Sequence, residues 1–297
     1  MKIRRTSALA VGVLATTALA LTGCGKEGSP AGGASVSVSS AASGVAVAGS
    51  PTFDRMKSRG KVVIGVKEDQ PNLGYKDPTT NTYSGFDVEM ARLVAAGLGF
   101  GQDKIEYKAI PSANREQAIS NGDIDYYVGT YSITPQRKEK ISFAGPYFIA
   151  GQDLLVRKDD TAITGPDALG GKKVCSATGS TSIQRIRDKY PKAQTVEFEK
   201  YSQCVEQLLG KQVDAVTTDD AILKGYAAQQ PDKLKVVGKP FSEEKYGIGL
   251  PKDDKALRDK VNDLLAGSAS GGEWKKIYDA TLGKSGSPAE PPALERY

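Results

Sequence analysis

The chain has 297 residues, of which 39% are hydrophobic and 25% charged, a composition ordinary for a globular protein with room for about two average domains or one large one. Forty basic and 35 acidic residues give +5; without Lys2, Arg4 and Arg5 of residues 1–23, which hold no acids, the balance is 37 to 35, or +2, too even for a nucleic-acid binder. The absence of histidine excludes a Ser-His-Asp triad, a Cys-His dyad and histidine-ligated zinc, and no metal or cofactor is expected.

Residues 1–23 run from a basic start through an apolar stretch, Ala8 to Leu21, to Thr22-Gly23 before Cys24. This order is that of an export signal, not of a domain. The tetrapeptide Leu21–Cys24 resembles the lipobox of bacterial lipoproteins, which implies that Cys24 is lipidated and becomes the new N-terminus. The alternative is an ordinary secretory signal with an incidental cysteine. Residues 24–50 are mostly Gly, Ser, Ala and Val with almost no charge, and they read as a flexible tether. Nothing later approaches the length of apolar run that spans a bilayer.

The globular body opens with KVVIGV at 61–66, a β-branched run suited to a strand buried on both faces. Lys67 follows at the carboxyl end of that strand, where ligands gather in open α/β sheets; the plainer reading is a solvated strand-end lysine. Phe86, Met90, Leu93, Val94 and Leu98 recur at helical spacing, with Asp87 and Glu89 in the first turn, and this helix reads as scaffold. A strand at 105–110 then leads through Pro111 and Ser112 into a short helix carrying Arg115. A cation in a first turn opposes the helix dipole unless an anion compensates, so Ser112 and Arg115, three residues apart, read as an oxyanion receptor. Surface pairing of Arg115 with Glu116 or Asp123 is the alternative. Within 125–147, a strand ends in Gly129-Thr130-Tyr131-Ser132, whose small residues let a ligand approach the backbone, and Pro135 starts a helical turn bearing Arg137. A guanidinium fork beside the Ser132 hydroxyl suits an α-carboxylate. The competing view makes Arg137, Lys138 and Lys140 a solvated charge run.

The strand near 61, GFDVEMARLVAAGLG, SANR, SITPQRKEKISFAGPY and TTDDAIL at 217–223 together resemble the family 3 solute-binding proteins, the polar-amino-acid receptors of ABC importers. The resemblance spans roughly residues 53–283. It implies an α/β fold of the two-lobed periplasmic-binding-protein type (type II), with two hinge crossovers near 145–156 and 236–250. Lobe 1 would then comprise 51–148 and 245–283, lobe 2 would be 149–244, and the proline-rich 284–297 would be a mobile tail. By the same resemblance Thr181 donates its amide to the α-carboxylate opposite Arg137, although a plain βα turn capped by Ser180 or Thr181 is the alternative. Asp219, weighed above Asp220, holds the α-ammonium, and Tyr201 falls where some acidic-amino-acid receptors make a polar contact. Cys175 and Cys204 both fall in lobe 2, and in an exported protein they are expected to form a structural disulfide.

Lys67, Arg115 and Arg137 bring three positive charges to this cleft against one negative charge at Asp219. Unpaired buried charge is costly, so a ligand with a second carboxylate is expected, and the resemblance places Lys67, Ser112 and Arg115 where aspartate and glutamate receptors hold that group. The expected ligand is L-glutamate or L-aspartate, with glutamate preferred. The expected protein is a monomeric lipoprotein on the outer face of the cytoplasmic membrane that closes on its ligand and serves ABC permease subunits; it is not expected to be an enzyme. The alternatives are an amino-acid sensor for a membrane kinase and an enzyme like the periplasmic cyclohexadienyl dehydratases.

Overall fold

A computed structural model describes residues 40–285 and 289–297. The export signal, Cys24 and the first part of the expected tether lie outside the described residues. The last part of that tether is fastened to the body: Ala42 donates its amide to Ala96 O at 2.9 Å, and Val47 is buried. Ser50 then caps helix α1 (Pro51–Arg59) by accepting from Phe53 N, while Pro51 fits the first helical position and Gly60 closes the other end in the left-handed region.

Strand β1 (Val62–Val66) is buried throughout, as its unbroken apolar run requires. After it come a small antiparallel sheet, β2 (Asp69–Gln70), β3 (Gly74–Lys76) and β4 (Tyr83–Ser84), then α2 (Phe86–Gly97) and β5 (Ile105–Ala109). A short 3-10 turn, Ser112–Asn114, enters α3 (Arg115–Ser120), followed by β6 (Tyr126–Tyr127), α4 (Pro135–Lys140) and β7 (Ser142–Ala150). The chain crosses at Gly151 into β8 (Gln152–Arg157), β9 (Lys173–Ala177), α5 (Thr181–Lys189), β10 (Gln194–Phe198), α6 (Tyr201–Leu209), β11 (Ala215–Asp219), α7 (Asp220–Gln229) and β12 (Leu234–Val236). It returns through 237–243 to β13 (Glu244–Leu250), α8 (Lys255–Gly271) and α9 (Glu273–Ala280).

Two five-stranded sheets result, ordered β5-β1-β6-β13-β7 and β10-β9-β11-β8-β12. Each is the centre of one lobe, and the chain passes between them twice. In both, parallel strands deliver their carboxyl ends to one edge, and loops from those edges meet between the lobes. Lobe 1 is filled around Phe86, whose ring meets Trp274 edge-on at 5.7 Å; Trp274 Nε1 donates to Tyr147 O at 2.7 Å. Cys175 and Cys204 form a disulfide that joins β9 to α6 in lobe 2.

The tail departs from the expected mobility. Glu295 N donates to Gly145 O at 2.8 Å, Phe143 N donates to Tyr297 Oη at 2.8 Å, and the Tyr297 ring lies 4.0 Å from Lys138 Nζ and 4.3 Å from the Arg258 guanidinium. Ala289 and Leu294 pack on the lobe 1 core. An aromatic ring between two cations and a set of backbone bonds outweigh the segment's proline content.

Candidate ligand-binding site

In lobe 1 the carboxyl end of β1 delivers Lys67 into the cleft, where it is buried and donates from Nζ to Ser112 Oγ at 2.8 Å. Arg115, 2% exposed, opens α3; its Nε donates to Ser112 O at 3.1 Å and its Nη1 reaches Thr130 O at 3.5 Å. Burial against these carbonyls rules out the surface pairing weighed for Arg115. Thr134 caps α4 and so aims Arg137 inward, with Nη1 donating to Ser132 O at 2.7 Å. Arg137 is 8% exposed, so it does not belong to a solvated charge run.

Both guanidiniums lie over the ring of Tyr131, Arg115 at 4.2 Å and Arg137 at 4.9 Å from its centroid, a platform that holds two like charges near each other. Thr130 takes a left-handed backbone, φ 44°. It is held there by Asp87, whose Oδ2 accepts Thr130 N at 3.0 Å, and by Gln70, whose Oε1 accepts the Thr130 hydroxyl at 3.1 Å. Asp87 also accepts from Tyr147 Oη at 2.7 Å, and burial raises its pKa to about 6 against those two bonds.

Lobe 2 closes the other wall. Ser180 caps α5 through its Oγ, so Thr181 is the first helical residue, not the cap; its Oγ1 lies 3.5 Å from Ser132 Oγ and donates to Glu244 Oε2 at 3.2 Å. Gly179, at φ 75°, accepts from Arg137 Nη2 at 3.2 Å, and a Cβ there would stand 2.6 Å from Ala113 Cα of lobe 1. Only glycine allows the lobes to approach this closely here. Asp219 ends β11; its Oδ2 accepts from Tyr246 Oη at 2.7 Å, and its buried Oδ1 has no hydrogen-bond partner among the described residues. Asp220 is instead engaged by Lys224 at 2.5 Å and by the Gly151 amide. Tyr201, buried, begins α6.

The electrostatics differ from a count of cations. Burial, then the neighbouring Arg115 charge, lowers the Lys67 pKa to about 7. Burial, then Glu244, raises that of Asp219 to about 7. Glu116 Oε1 lies 3.2 Å from Arg137 Nε, and Glu244 pairs with Arg185 at 2.9 Å. Glu116 offsets part of the positive charge at Arg137, burial weakens that of Lys67, and the full charge of the second position is that of Arg115. Sequence reasoning named Glu116 only as a partner for Arg115 and Asp87 only as a helix acid; Gln70, Tyr131, Glu244 and Tyr246 were missed. A buried acid in a first helical turn was the one available signal, at Asp87. Nothing local marks Tyr246, which reaches Asp219 across 27 residues.

The family model for bacterial extracellular solute-binding proteins, family 3, matches residues 62–284. The chain belongs to this family. It is 42% identical over 235 residues to the glutamate-binding protein GluB of Corynebacterium efficiens, covering 76% of this chain and 80% of that protein. It is 40% identical over 228 residues to the ABC transporter glutamine-binding protein GlnH of Bacillus subtilis, covering 76% and 83%. Among solved structures it is similar to a mutant of ArgBP from T. maritima, with a TM-score of 0.73 and 28% identity over 78% of this chain and 99% of that one. As a family 3 member with such relatives, the chain is a two-lobed solute-binding protein and not an enzyme. Among the described residues no helix is long and apolar enough to cross a membrane.

Proposed function

We propose that this family 3 protein captures an acidic L-amino acid, glutamate with aspartate as the shorter alternative, and delivers it to the permease subunits of an ABC importer. One observation carries the reading: a single cleft holds two separate cationic positions, Arg137 beside Ser132 and Thr181, and Arg115 with Lys67 and Ser112. The first takes the α-carboxylate, with the Thr181 amide donating from lobe 2 and the Thr130 backbone alongside. Asp219, held by Tyr246, takes the α-ammonium through its free Oδ1, and Tyr201 borders it. The second position takes the side-chain carboxylate. The glutamate-binding relative supports the choice.

Closure of the lobes around the ligand forms the complex, because the α-carboxylate then bridges Arg137 of lobe 1 to Thr181 of lobe 2 while the α-ammonium meets Asp219 of lobe 2 and the side-chain carboxylate stays on lobe 1. The protein acts as a monomer anchored through lipidated Cys24 to the outer face of the cytoplasmic membrane. Glutamine is the second reading, favoured by the nearly neutral Lys67 and by the glutamine-binding relative. Replacing Arg115 by alanine separates the two. Loss of a charged hydrogen bond lowers glutamate affinity by about 10- to 100-fold and leaves glutamine nearly unaffected. Unchanged glutamate affinity in Arg115→Ala would remove the acidic assignment.

A further inference from the structure

The lobes also meet at the rim of the ligand cleft, in a pocket where Lys67 is joined by Glu68, Asp69 and Lys200. In lobe 1 the segment after β1, with Glu68, Asp69 of β2 and Pro71, sits against the start of α6 and the side of α7 in lobe 2. Helix α6 begins after Lys200, whose ammonium has no acceptor to offer the free amides of a first turn. The acceptor comes from the other lobe. Ser202 N donates to Asp69 Oδ2 at 3.1 Å, and Tyr226 Oη of α7 donates to the Asp69 main-chain oxygen and approaches the same carboxylate at 3.2 Å. Glu68 pairs with Lys200 Nζ at 2.5 Å. At Gly225 a Cβ would stand 2.6 Å from Pro71 O, so the fit of α7 on this segment depends on a missing side chain.

We propose that Asp69 is a positioning residue for ligand capture: its carboxylate caps α6 across the lobes only in the closed arrangement, and so sets the balance between closed and open forms. The inference rests on the cleft being a hinge-closing binding site, but not on which amino acid fills it. A carboxylate at a helix N-terminus is favoured by the dipole and satisfies an otherwise unpaired amide. Helix α6 starts with Tyr201 at the cleft and is tied by Cys204 to β9, so holding its N-terminus places that wall of lobe 2. Apparent affinity scales with the population of the binding-competent form, whatever the ligand. Asp69 therefore governs how tightly any ligand is held, while Arg115 and Lys67 govern which one.

Calorimetry with glutamate and with glutamine on the wild type, Asp69→Ala and Gly225→Ala tests this. Asp69→Ala is expected to weaken both ligands by the same factor, about tenfold, leaving their ratio unchanged. Gly225 lies inside α7, where alanine favours the helix, yet its methyl group wedges against Pro71. Gly225→Ala is therefore expected to melt, ligand-free, at or above the wild-type temperature while binding both ligands more weakly, which separates lost closure from lost folding. Affinities within about twofold of wild type in both variants, or a loss confined to one ligand, would overturn the role of Asp69. If the wild type binds neither ligand, the acidic reading fails by itself, and the variants are compared with whichever standard amino acid does bind.

Discussion

At the scale of single residues, the cleft is set by two groups that titrate near neutrality from opposite directions. Asp219 has its pKa raised from 3.8 to about 7, so between those values the native state holds a proton that the unfolded state has lost, and the contribution of this group to stability declines as pH rises through that window. Lys67 is lowered from 10.5 to about 7, so the unfolded state holds the extra proton and stability gains as pH rises from about 7 toward 10.5. An ammonium needs Asp219 ionised, and a second carboxylate needs Lys67 protonated. Glutamate affinity is therefore expected to peak near neutral pH and fall on both sides, whereas glutamine affinity falls on the acid side and holds above neutrality until the ligand's own ammonium loses its proton. Calorimetry across this range checks it, and a glutamate affinity that stays flat on the alkaline side would contradict the role of Lys67. Arg137 is proposed to hold the carboxylate that all amino acids share, so Arg137→Ala is expected to reduce affinity for every ligand by more than about 100-fold. Retained binding of any amino acid in equilibrium dialysis would count against it.

At the scale of elements, what was legible in the sequence is what short-range physics writes there. KVVIGV suits a strand buried on both faces, and Pro135 marks the start of the turn that bears Arg137; the Thr134 cap of that turn was found only in the structure. Partners that meet through the fold were not legible: Tyr246 reaches Asp219 from the returning strand, Asp69 caps a helix of the other lobe, and Tyr297 docks between Lys138 and Arg258. The disulfide lies between these cases. The pairing of Cys175 with Cys204 was expected for an exported chain with these two cysteines, and it is found; the fold supplies the approach of β9 to α6 that lets it form. The bridge closes a loop with a sequence separation of 29, for which chain entropy gives about 3 kcal/mol. Replacing Cys175 and Cys204 by alanine is expected to lower stability by about that amount in urea unfolding; an unchanged midpoint would mean the unfolded chain is not constrained by it.

At the scale of the whole molecule, two sheets are joined by two crossings, with the proposed ligand residues divided between the lobes. Arg115, Arg137 and Lys67 stand on one side, Thr181, Tyr201 and Asp219 on the other. On the proposed reading a ligand that bridges both sides stabilises closure, and the Asp69 contact biases the same motion from the rim of the cleft. Aspartate lacks one methylene of glutamate, worth about 0.8 kcal/mol or roughly fourfold, so the two acids are expected to bind with similar strength. On the proposed reading the cleft is built for an amino acid with two carboxylates. Calorimetric titration of the wild-type protein with glutamate, aspartate, glutamine and arginine tests it most directly: glutamate should bind most tightly with aspartate close behind, and tight binding of glutamine or arginine with no heat from glutamate would contradict it.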